Sequence, residues 1–517
     1  MNKFQFLVAV TASLGGLLFG YEVGVMNVVL GMDAFRLFFK FFTWDGSGAD
    51  KYGNAINEKN KNIGAEVEFR NLEKTHNKAL LEGLITSSFV LGALCGALMA
   101  TYLGEKYGRQ RTIMIGAIIF TCGALIQGCC PTGFWLFIAV GRLVTGLSIG
   151  CNGVLCPTYI SEVAPAKIRG TLSSCYQLMT TFGIIVASCV NAIIWYCTNV
   201  HPDDLPPSAD VKTERKEDDN ISSLEWRLAL LLQIVPGLGL AIFMSFLPKS
   251  PRWLCSKDRD EEAVEVLAKL NAASTSDSLV QEELKAIQED VAATRAAGSS
   301  SFGELFSTVI RRRTFITFLM QLFQQWTGIN VIMYYQTQIY GKMGFTKVLS
   351  TVVLPNVNNL VNFLSTFPGM WGIERLGRKT LLIIGSLMMM VFHISTYVFS
   401  LLANNGNKAW QWVAVISVFL FVFSFAWTWG PVPWVYQAEV FPLRVRVKGS
   451  AVGTVSNFLN NWIIGFIGPL LMESLETATF LIFAVACLIA WVYSQFYVIE
   501  CKGLTLEEMD AKMGGKV

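Results

Sequence analysis

Twelve apolar runs constrain this chain more than any other feature. They sit near 4–30, 79–101, 112–130, 134–156, 171–197 and 228–247, then near 314–340, 348–373, 380–403, 411–436, 449–472 and 478–499. A helix rises 1.5 Å per residue and needs about 20 apolar residues to cross a hydrocarbon layer. Twelve crossings would take roughly 240 residues, a little under half of the 517 present, and leave the charge to the loops. Charge is scarce, at 15% of residues against 53% hydrophobic, where a soluble domain carries about 25% charged residues. Three soluble globules, the number that length alone indicates, cannot be clothed with so little. Collagen-like, disordered and small disulfide-rich classes are excluded on the same ground. The expected fold class is an all-α membrane protein with twelve transmembrane helices.

Met1-Asn2-Lys3 before an apolar stretch resembles a signal peptide, but the run continues to Leu30. That exceeds a secretory h-region, so it reads as an uncleaved first span. With the N-terminus inside, the short inner loops hold 11 Lys and Arg and the short outer loops 3. Both termini are therefore expected in the cytoplasm. The long outer loops are 31–78 and 198–225, the second with a glycosylation triplet at Asn220-Ile221-Ser222. Residues 248–313 form the longest inner loop, in which Ala263, Val266, Leu267 and Leu270 fall on one face of an amphipathic helix over Asp258–Asn271. Most cysteines lie within apolar runs, with no CxxC pair or metal-ligand spacing. Reduced thiols are expected, with no disulfide framework and no metal.

The 248–313 loop divides six spans from six, and the halves echo each other. Glu105-Lys106-x-Gly108-Arg109-Gln110-Arg111 follows span 2, and Glu374-Arg375-x-Gly377-Arg378-Lys379 follows span 8, 269 positions later. Glu162-x-x-Pro165-x-x-x-Arg169 follows span 4, and Glu439-x-x-Pro442-x-x-x-Arg446 follows span 10, 277 positions later. Two motifs repeating at nearly one offset, in matching loops, mark a tandem duplication of a six-helix unit, a common plan among transporters.

Further motifs lie along the same frame. They are Gly15-Gly16-Leu17-Leu18-Phe19-Gly20-Tyr21, Gly141-Arg142-x-x-x-Gly146, Pro157-x-Tyr159-x-x-Glu162, Ser250-Pro251-Arg252-Trp253-Leu254 and Gln324-Gln325-x-x-Gly328-Ile329-Asn330. In this order the chain resembles the sugar porters of the major facilitator superfamily, from span 1 to Leu504-Thr505-Leu506-Glu507-Glu508. It departs from their pattern at Thr101, Lys249, Ile499 and Cys501, all near the cytoplasmic gate.

Sugar hydroxyls both donate and accept, so amides suit them. Amides within spans are costly without partners. Gln321, Gln324 and Gln325 lie at i, i+3 and i+4 on one face of span 7. On an unbroken helix Asn330 would stand roughly 140° from Gln325. A break at Thr327-Gly328 would bring it round. The resemblance assigns Gln324, Gln325 and Asn330 to the sugar, with Gln177, Asn362, Trp434 and Asn457, and makes Tyr334 and Tyr335 an outer gate. The plainer reading of one intramembrane amide is glue between helices. For Trp434 it is an interfacial anchor, although Pro431 and Pro433 before it point to a broken helix. Asn358, Asn359, Asn460 and Asn461 read as packing amides, and His393 as a hydrogen-bonded structural histidine.

Glu22 is the acid deep in span 1 and Arg142 the base well inside span 4. Lone midplane charges cost at least a few kcal/mol, so the two should pair or face water. The pair is either static or a proton switch, and proton symporters of the resembled family carry an aspartate where Glu22 stands. At the inner loop ends, Glu105, Arg109, Arg111, Glu162, Arg169, Glu374, Arg378, Glu439 and Arg446 combine opposite charges, read as a cytoplasmic gate. Basic residues there also satisfy topology.

The resulting expectation is an N-terminal half over 1–247, a cytoplasmic helical linker over 248–313, a C-terminal half over 314–500 and a tail over 501–517. The resemblance implies a plasma-membrane hexose transporter of the glucose type, working by alternating access as a monomer and coupled to a proton. A facilitative uniporter, a polyol or inositol porter and a non-transporting sugar sensor remain alternatives. No GxxxxGK[ST] phosphate loop or catalytic constellation appears, so neither an enzyme nor a bound cofactor is expected, nor a nucleic-acid partner.

Overall fold

The computed structural model describes residues 3–30, 32, 35, 76–131, 134–163, 169–199, 223–296, 301–308, 310–346, 348–403, 407–442 and 445–502. Loops 31–78 and 198–225, Asn220 and most of the tail thus lie largely or wholly outside the described residues.

The described chain is helical. In order the helices are α1 Lys3–Val29, α2 His76–Tyr107, α3 Arg109–Gly128, α4 Trp135–Val163, α5 Arg169–Asn199, α6 Leu224–Leu231, α7 Ile234–Ser245, α8 Pro251–Ser256, α9 Asp260–Asn271 and α10 Ser278–Ala296. After a short turn at Phe302–Phe306 come α11 Arg311–Trp326, α12 Ile329–Lys342, α13 Leu354–Leu376, α14 Arg378–Ala403, α15 Lys408–Trp427, α16 Val432–Glu439, α17 Arg446–Ser474 and α18 Thr479–Phe496.

Ten segments are long and apolar enough to cross a membrane, with α6–α7 and α15–α16 each counting as one. The segments expected at 314–340 and 348–373 are not among them, and their side chains explain why. The first is broken into α11 and α12, neither of which reaches 18 residues. The second, α13, carries Asn356, Asn358, Asn359 and Asn362, which lower its hydropathy. The helices that fall short are the ones loaded with amides.

Lipid-side and protein-side faces separate as a bilayer requires. Ile115, Ile118 and Ile119 of α3 and Val235, Ile242, Phe243 and Phe246 of α7 stand exposed, a pattern that costs nothing when the surrounding solvent is hydrocarbon. Inside, small residues let backbones approach. A Cβ on Gly146 or Gly150 of α4 would meet the Phe89 or Ala93 carbonyl oxygen of α2 at 2.0 or 1.9 Å. A Cβ on Gly92 or Gly96 of α2 would meet Leu143 or Leu147 of α4 at 2.1 Å. Helices α1 and α5 pack against each other in the same manner, and α2–α17, α5–α13 and α1–α12 are the main contacts between the first seven helices and the last eight.

Between them, α8–α10 form a small body with its own core of Trp253, Leu254, Cys255, Ala263, Leu267, Val280 and Leu284. The helix expected over Asp258–Asn271 begins at Asp260 and buries Ala263, Leu267, Ala268 and Leu270, leaving Val266 half-buried. Ser250 caps α8, accepting from the Trp253 N–H, with Pro251 at the first helical position. Arg295 lies 2.9 Å from Asp258 and holds that exposed carboxyl below its usual range. The Trp253 indole donates to the Glu105 carbonyl at 3.0 Å, and the Gln5 amide donates to Asn271 at 3.4 Å. The body is therefore pinned under α1 and the α2–α3 junction, and it marks the linker end of the bundle. All cysteines among the described residues are free thiols.

Gly150→Val should lower the melting temperature in detergent by an amount equivalent to about 1–3 kcal/mol, the usual cost of overpacking. Gly239→Val, where a Cβ meets nothing nearer than 3.9 Å, should leave it within error. Equal melting of both variants would contradict the backbone contact between α2 and α4.

Candidate functional site

The segment after the linker breaks where its glycine stands. Gly328 adopts φ +87°, and a Cβ there would lie 2.6 Å from the Phe483 ring, so no other residue fits without strain. The break frees the Thr327 carbonyl, and buried His393 of α14 sits 2.8 Å from it, as a structural histidine should. The turn brings Asn330 to Gln325, and the Asn330 amide donates to the Gln325 oxygen.

A second break lies between α15 and α16, before Pro431 and Pro433. The Gln324 amide spans the two breaks, donating to the Trp429 and Gly430 carbonyls at 2.7 and 2.9 Å. Asn457 of α17 donates to Gln324 at 2.6 Å and to Gln321 at 2.7 Å, and Gln321 donates to Gln437 of α16 at 2.9 Å. Three helices thus meet in one amide cluster. Gln437 belongs to it although nothing in the sequence singled it out. Its signal was available, since an amide two turns from Pro431 in an apolar span is as unusual as the glutamines of α11. Among the described residues, the Asn457 and Asn330 oxygens and the Gln325 NH2 have no protein partner, which leaves two acceptors and a donor for a polyhydroxylated guest.

The other expected site residues, Gln177, Asn362 and Trp434, make no side-chain hydrogen bond to the cluster among the described residues. Helices α5 and α13 run antiparallel, with Phe182 against Phe363 at 5.8 Å between ring centres and the Thr366 hydroxyl donating to Thr181 at 3.4 Å. That register puts half-buried Gln177 and buried Asn362 roughly 10 Å apart along the axes. Their amides make no hydrogen bond to a described residue. Trp434 is half-buried on α16.

Tyr334 and Tyr335 lie where α12 bends, with Tyr335 at φ −123° and ψ 18°. Both are buried. The Tyr334 hydroxyl donates to Asn461 at 3.0 Å and that of Tyr335 to the Gly465 carbonyl at 2.9 Å, so α12 is bound to α17. Beyond the bend, the Thr337 N–H donates to the Asn27 side chain at 3.3 Å, and the Thr337 hydroxyl donates to the Asn27 carbonyl at 3.0 Å. Gln338 donates to Glu82 at 3.2 Å. These contacts close the end of the bundle opposite the linker. Asn358 and Asn359 bond through Gln336 at 3.0 and 3.2 Å, and Asn460 accepts from Trp326 at 3.0 Å, as packing amides would.

Glu22 and Arg142 are both fully buried and 2.9 Å apart. Arg142 also donates from Nε to the Ile85 carbonyl at 2.9 Å and from Nη2 to the Thr86 carbonyl at 3.3 Å. The arginine therefore joins α1, α2 and α4.

At the linker end the two pairs of loop motifs make matching contacts, although Arg109 meets one oxygen of Glu162 and Arg378 both oxygens of Glu439. Arg109 lies 3.1 Å from Glu162 and donates to the Gly104 carbonyl at 3.0 Å. Arg378 lies 2.6 Å from Glu439 and donates to the Ile373 carbonyl at 2.9 Å. Both arginines follow a glycine of φ near +90°, Gly108 and Gly377. The pairing runs between motifs of one repeat, not within a motif. Glu105 and Arg111 stay exposed and form no ion pair with a described residue. The side chains of Arg169, Glu374 and Arg446 lie outside the described residues. Glu500 is a further gate-region residue that sequence reading passed over. Its carboxylate accepts from the Arg378 and Lys379 N–H groups at 2.8 and 2.9 Å and caps the positive end of α14.

The family model for sugar (and other) transporters matches residues 8–513. The galactose transporter of Saccharomyces cerevisiae is 33% identical over 83% of this chain and 71% of its own length. Hexose transporter 2 of Kluyveromyces lactis is 36% identical over 83% of this chain and 73% of its own. Among solved structures, the partially occluded inward-open form of the xylose transporter XylE from E. coli superposes with a TM-score of 0.75 at 24% identity, covering 98% of this chain and all of that one.

Asn457→Ala would leave the Gln321 and Gln324 oxygens without their shared donor. The protein should melt earlier in detergent, by the equivalent of roughly 1–3 kcal/mol. An unchanged melting curve would mean that the cluster contributes no net stability.

Proposed function

The chain belongs to the sugar transporter family of the major facilitator superfamily, and from that premise we propose that it carries hexose across the plasma membrane by alternating access, together with a proton. In this reading the amide-bearing segments α11–α12 and α13 also cross the bilayer. The protein is then a twelve-helix bundle of two halves, 1–247 and 314–500, joined by a cytoplasmic linker over 248–313 and ending in a tail over 501–517. The excess of Lys and Arg in the loops at the linker end supports a cytoplasmic position for that end and for both termini.

The observation that carries the proposal is the amide cluster built across two broken helices, Gln321, Gln324 and Asn457 with Gln325 and Asn330 beside it. Broken spans at mid-membrane are where transporters of this architecture place their substrates. Unused amide donors and acceptors there match a ring of hydroxyls. Trp434 offers an apolar face for the sugar ring, with Gln177 and Asn362 joining the site from α5 and α13 as the halves move. Tyr334 and Tyr335 form the outer gate. Arg109–Glu162 and Arg378–Glu439, with Glu105, Arg111, Arg169, Glu374 and Arg446 around them, form the cytoplasmic gate. Hexose is favoured by the names of the yeast relatives, a galactose and a hexose transporter.

Proton coupling rests on Glu22 and Arg142. A fully buried carboxylate with one cationic partner binds a proton readily once that partner moves away. A static pin is the second reading, favoured by the two backbone carbonyls that Arg142 also holds.

Labelled glucose uptake should be measured in cells lacking their own hexose transporters, with and without a protonophore. Accumulation above the outside concentration, abolished by the protonophore, is expected. Glu22→Gln should abolish accumulation and keep exchange within about threefold of the unmodified protein, a factor worth well under 1 kcal/mol. Uptake that equilibrates and ignores both protonophore and substitution identifies a uniporter. No uptake of any hexose by protein at the surface would falsify the hexose assignment.

A further inference from the structure

The Arg142 guanidinium has a fourth neighbour besides Glu22 and the two carbonyls. Its carbon lies 4.9 Å from the centre of the Phe89 ring, within reach of a cation–π contact. Phe89 is fully buried on α2. Its ring meets Tyr334 edge to face at 6.0 Å, and Tyr334 meets Tyr335 in the same way at 6.4 Å. One ring thus touches the buried charge on one side and the bend of α12 on the other. Phe89 and Arg142 belong to the first seven helices and the tyrosines to α12, so the contact crosses between the halves. Helix α2 has no slack here, because the Phe89 carbonyl lies directly against Gly146 of α4, the helix that carries Arg142.

We propose that Phe89 is the positioning residue through which the Glu22–Arg142 pair governs the outer gate. The proposal rests on the alternating-access reading above. With Glu22 ionised, the guanidinium is shared between the carboxylate, the Ile85 and Thr86 carbonyls and the Phe89 face, and the ring is held where Tyr334 closes on it. When Glu22 is neutralised, the carboxylate no longer balances the charge, and the guanidinium redistributes over its remaining partners. The Phe89 ring carries that change toward the gate, because it also meets Tyr334 edge to face. In a buried site a cation–π contact and an aromatic pair are each large enough to shift an equilibrium between two gate positions severalfold. The link needs an aromatic face at position 89, and an aliphatic side chain of similar volume would fill the space without carrying it.

The readout is the ratio of half-saturation concentrations for influx and efflux, each measured into sugar-free solution. In this structure Thr337–Asn27 and Gln338–Glu82 hold together the end opposite the linker, the outer end in the reading above, so loosening the gate populates the outward-facing form and lowers the influx value relative to the efflux value. Phe89→Leu should lower the ratio about threefold, the scale of one aromatic pair. Glu22→Gln should shift the ratio when Phe89 is present and leave it unmoved in the Phe89→Leu background. Phe89→Tyr, which keeps the ring face, should restore the response to Glu22→Gln. Surface labelling separates misfolded variants, and Phe89→Met replaces Phe89→Leu if the latter fails to reach the surface.

The proposal is overturned if the aliphatic variant leaves the ratio unchanged. It is equally overturned if Glu22→Gln shifts the ratio by the same factor in both backgrounds, or in neither. These outcomes are distinct from failure of the functional reading. Symport fails when the unmodified protein never accumulates sugar, and the ratio test still stands for a uniporter. Absence of all hexose uptake removes the carrier reading and the proposal together.

Discussion

Inside a hydrocarbon layer every backbone N–H and C=O must find a partner within the protein, because no water is present to supply one. Intact helices meet the demand internally; broken ones do not. The two breaks, at Thr327-Gly328 and before Pro431, therefore create a local debt of hydrogen bonds, and side chains settle it. Gln324 serves the Trp429 and Gly430 carbonyls, His393 serves Thr327, and Asn27 serves the Thr337 N–H beyond the bend at Tyr335. The polar residues that lower the hydropathy of these segments are the same ones that make the breaks tolerable. Site and scaffold are one arrangement. An amide that completes a broken helix end is already held in place when a guest arrives, so little ordering is left to be done on binding.

The sequence echo between the two sets of helices has a structural counterpart. At the linker end it persists in geometry: glycine with positive φ, arginine to a carbonyl five residues back, arginine to a glutamate from the next loop motif. Within the bundle it has diverged. The amide cluster forms in the second set of helices, whereas the buried charge pair forms in the first. The second set of helices thus buries amides where the first buries a charge pair.

Much of this was legible beforehand because the signals are local. Apolar runs of bilayer length located the helices, and a lone acid and a lone base in apolar spans announced their pairing. Thr327-Gly328 marked the break that the φ of Gly328 then displayed. What escaped depends on where distant segments meet. Asn27, Phe89 and Glu500 are ordinary residues until the fold sets them against Thr337, Arg142 and the start of α14. Spacing within a motif also says little about which charges pair. Glu105 and Arg111 sit in the same short motif as Arg109, yet Arg109 turns to Glu162, because the α2–α3 turn at Gly108 aims it across to α4.

The attachment points of the α8–α10 body set a length scale for motion. Trp253 and Asn271 tie it to α2 and α1. The following turn at Phe302–Phe306 belongs with the later helices, since Leu305 accepts from Thr314 at 2.9 Å and Lys448 lies 5.2 Å over Phe302. The strap between the two attachments runs only from Ala296 to Ser301. Five residue steps, fully extended, reach roughly 18 Å. That is the furthest the two anchor points can separate without peeling one of them off. For a bundle that rocks, the limit on that motion is then set by the number of residues between two small anchors.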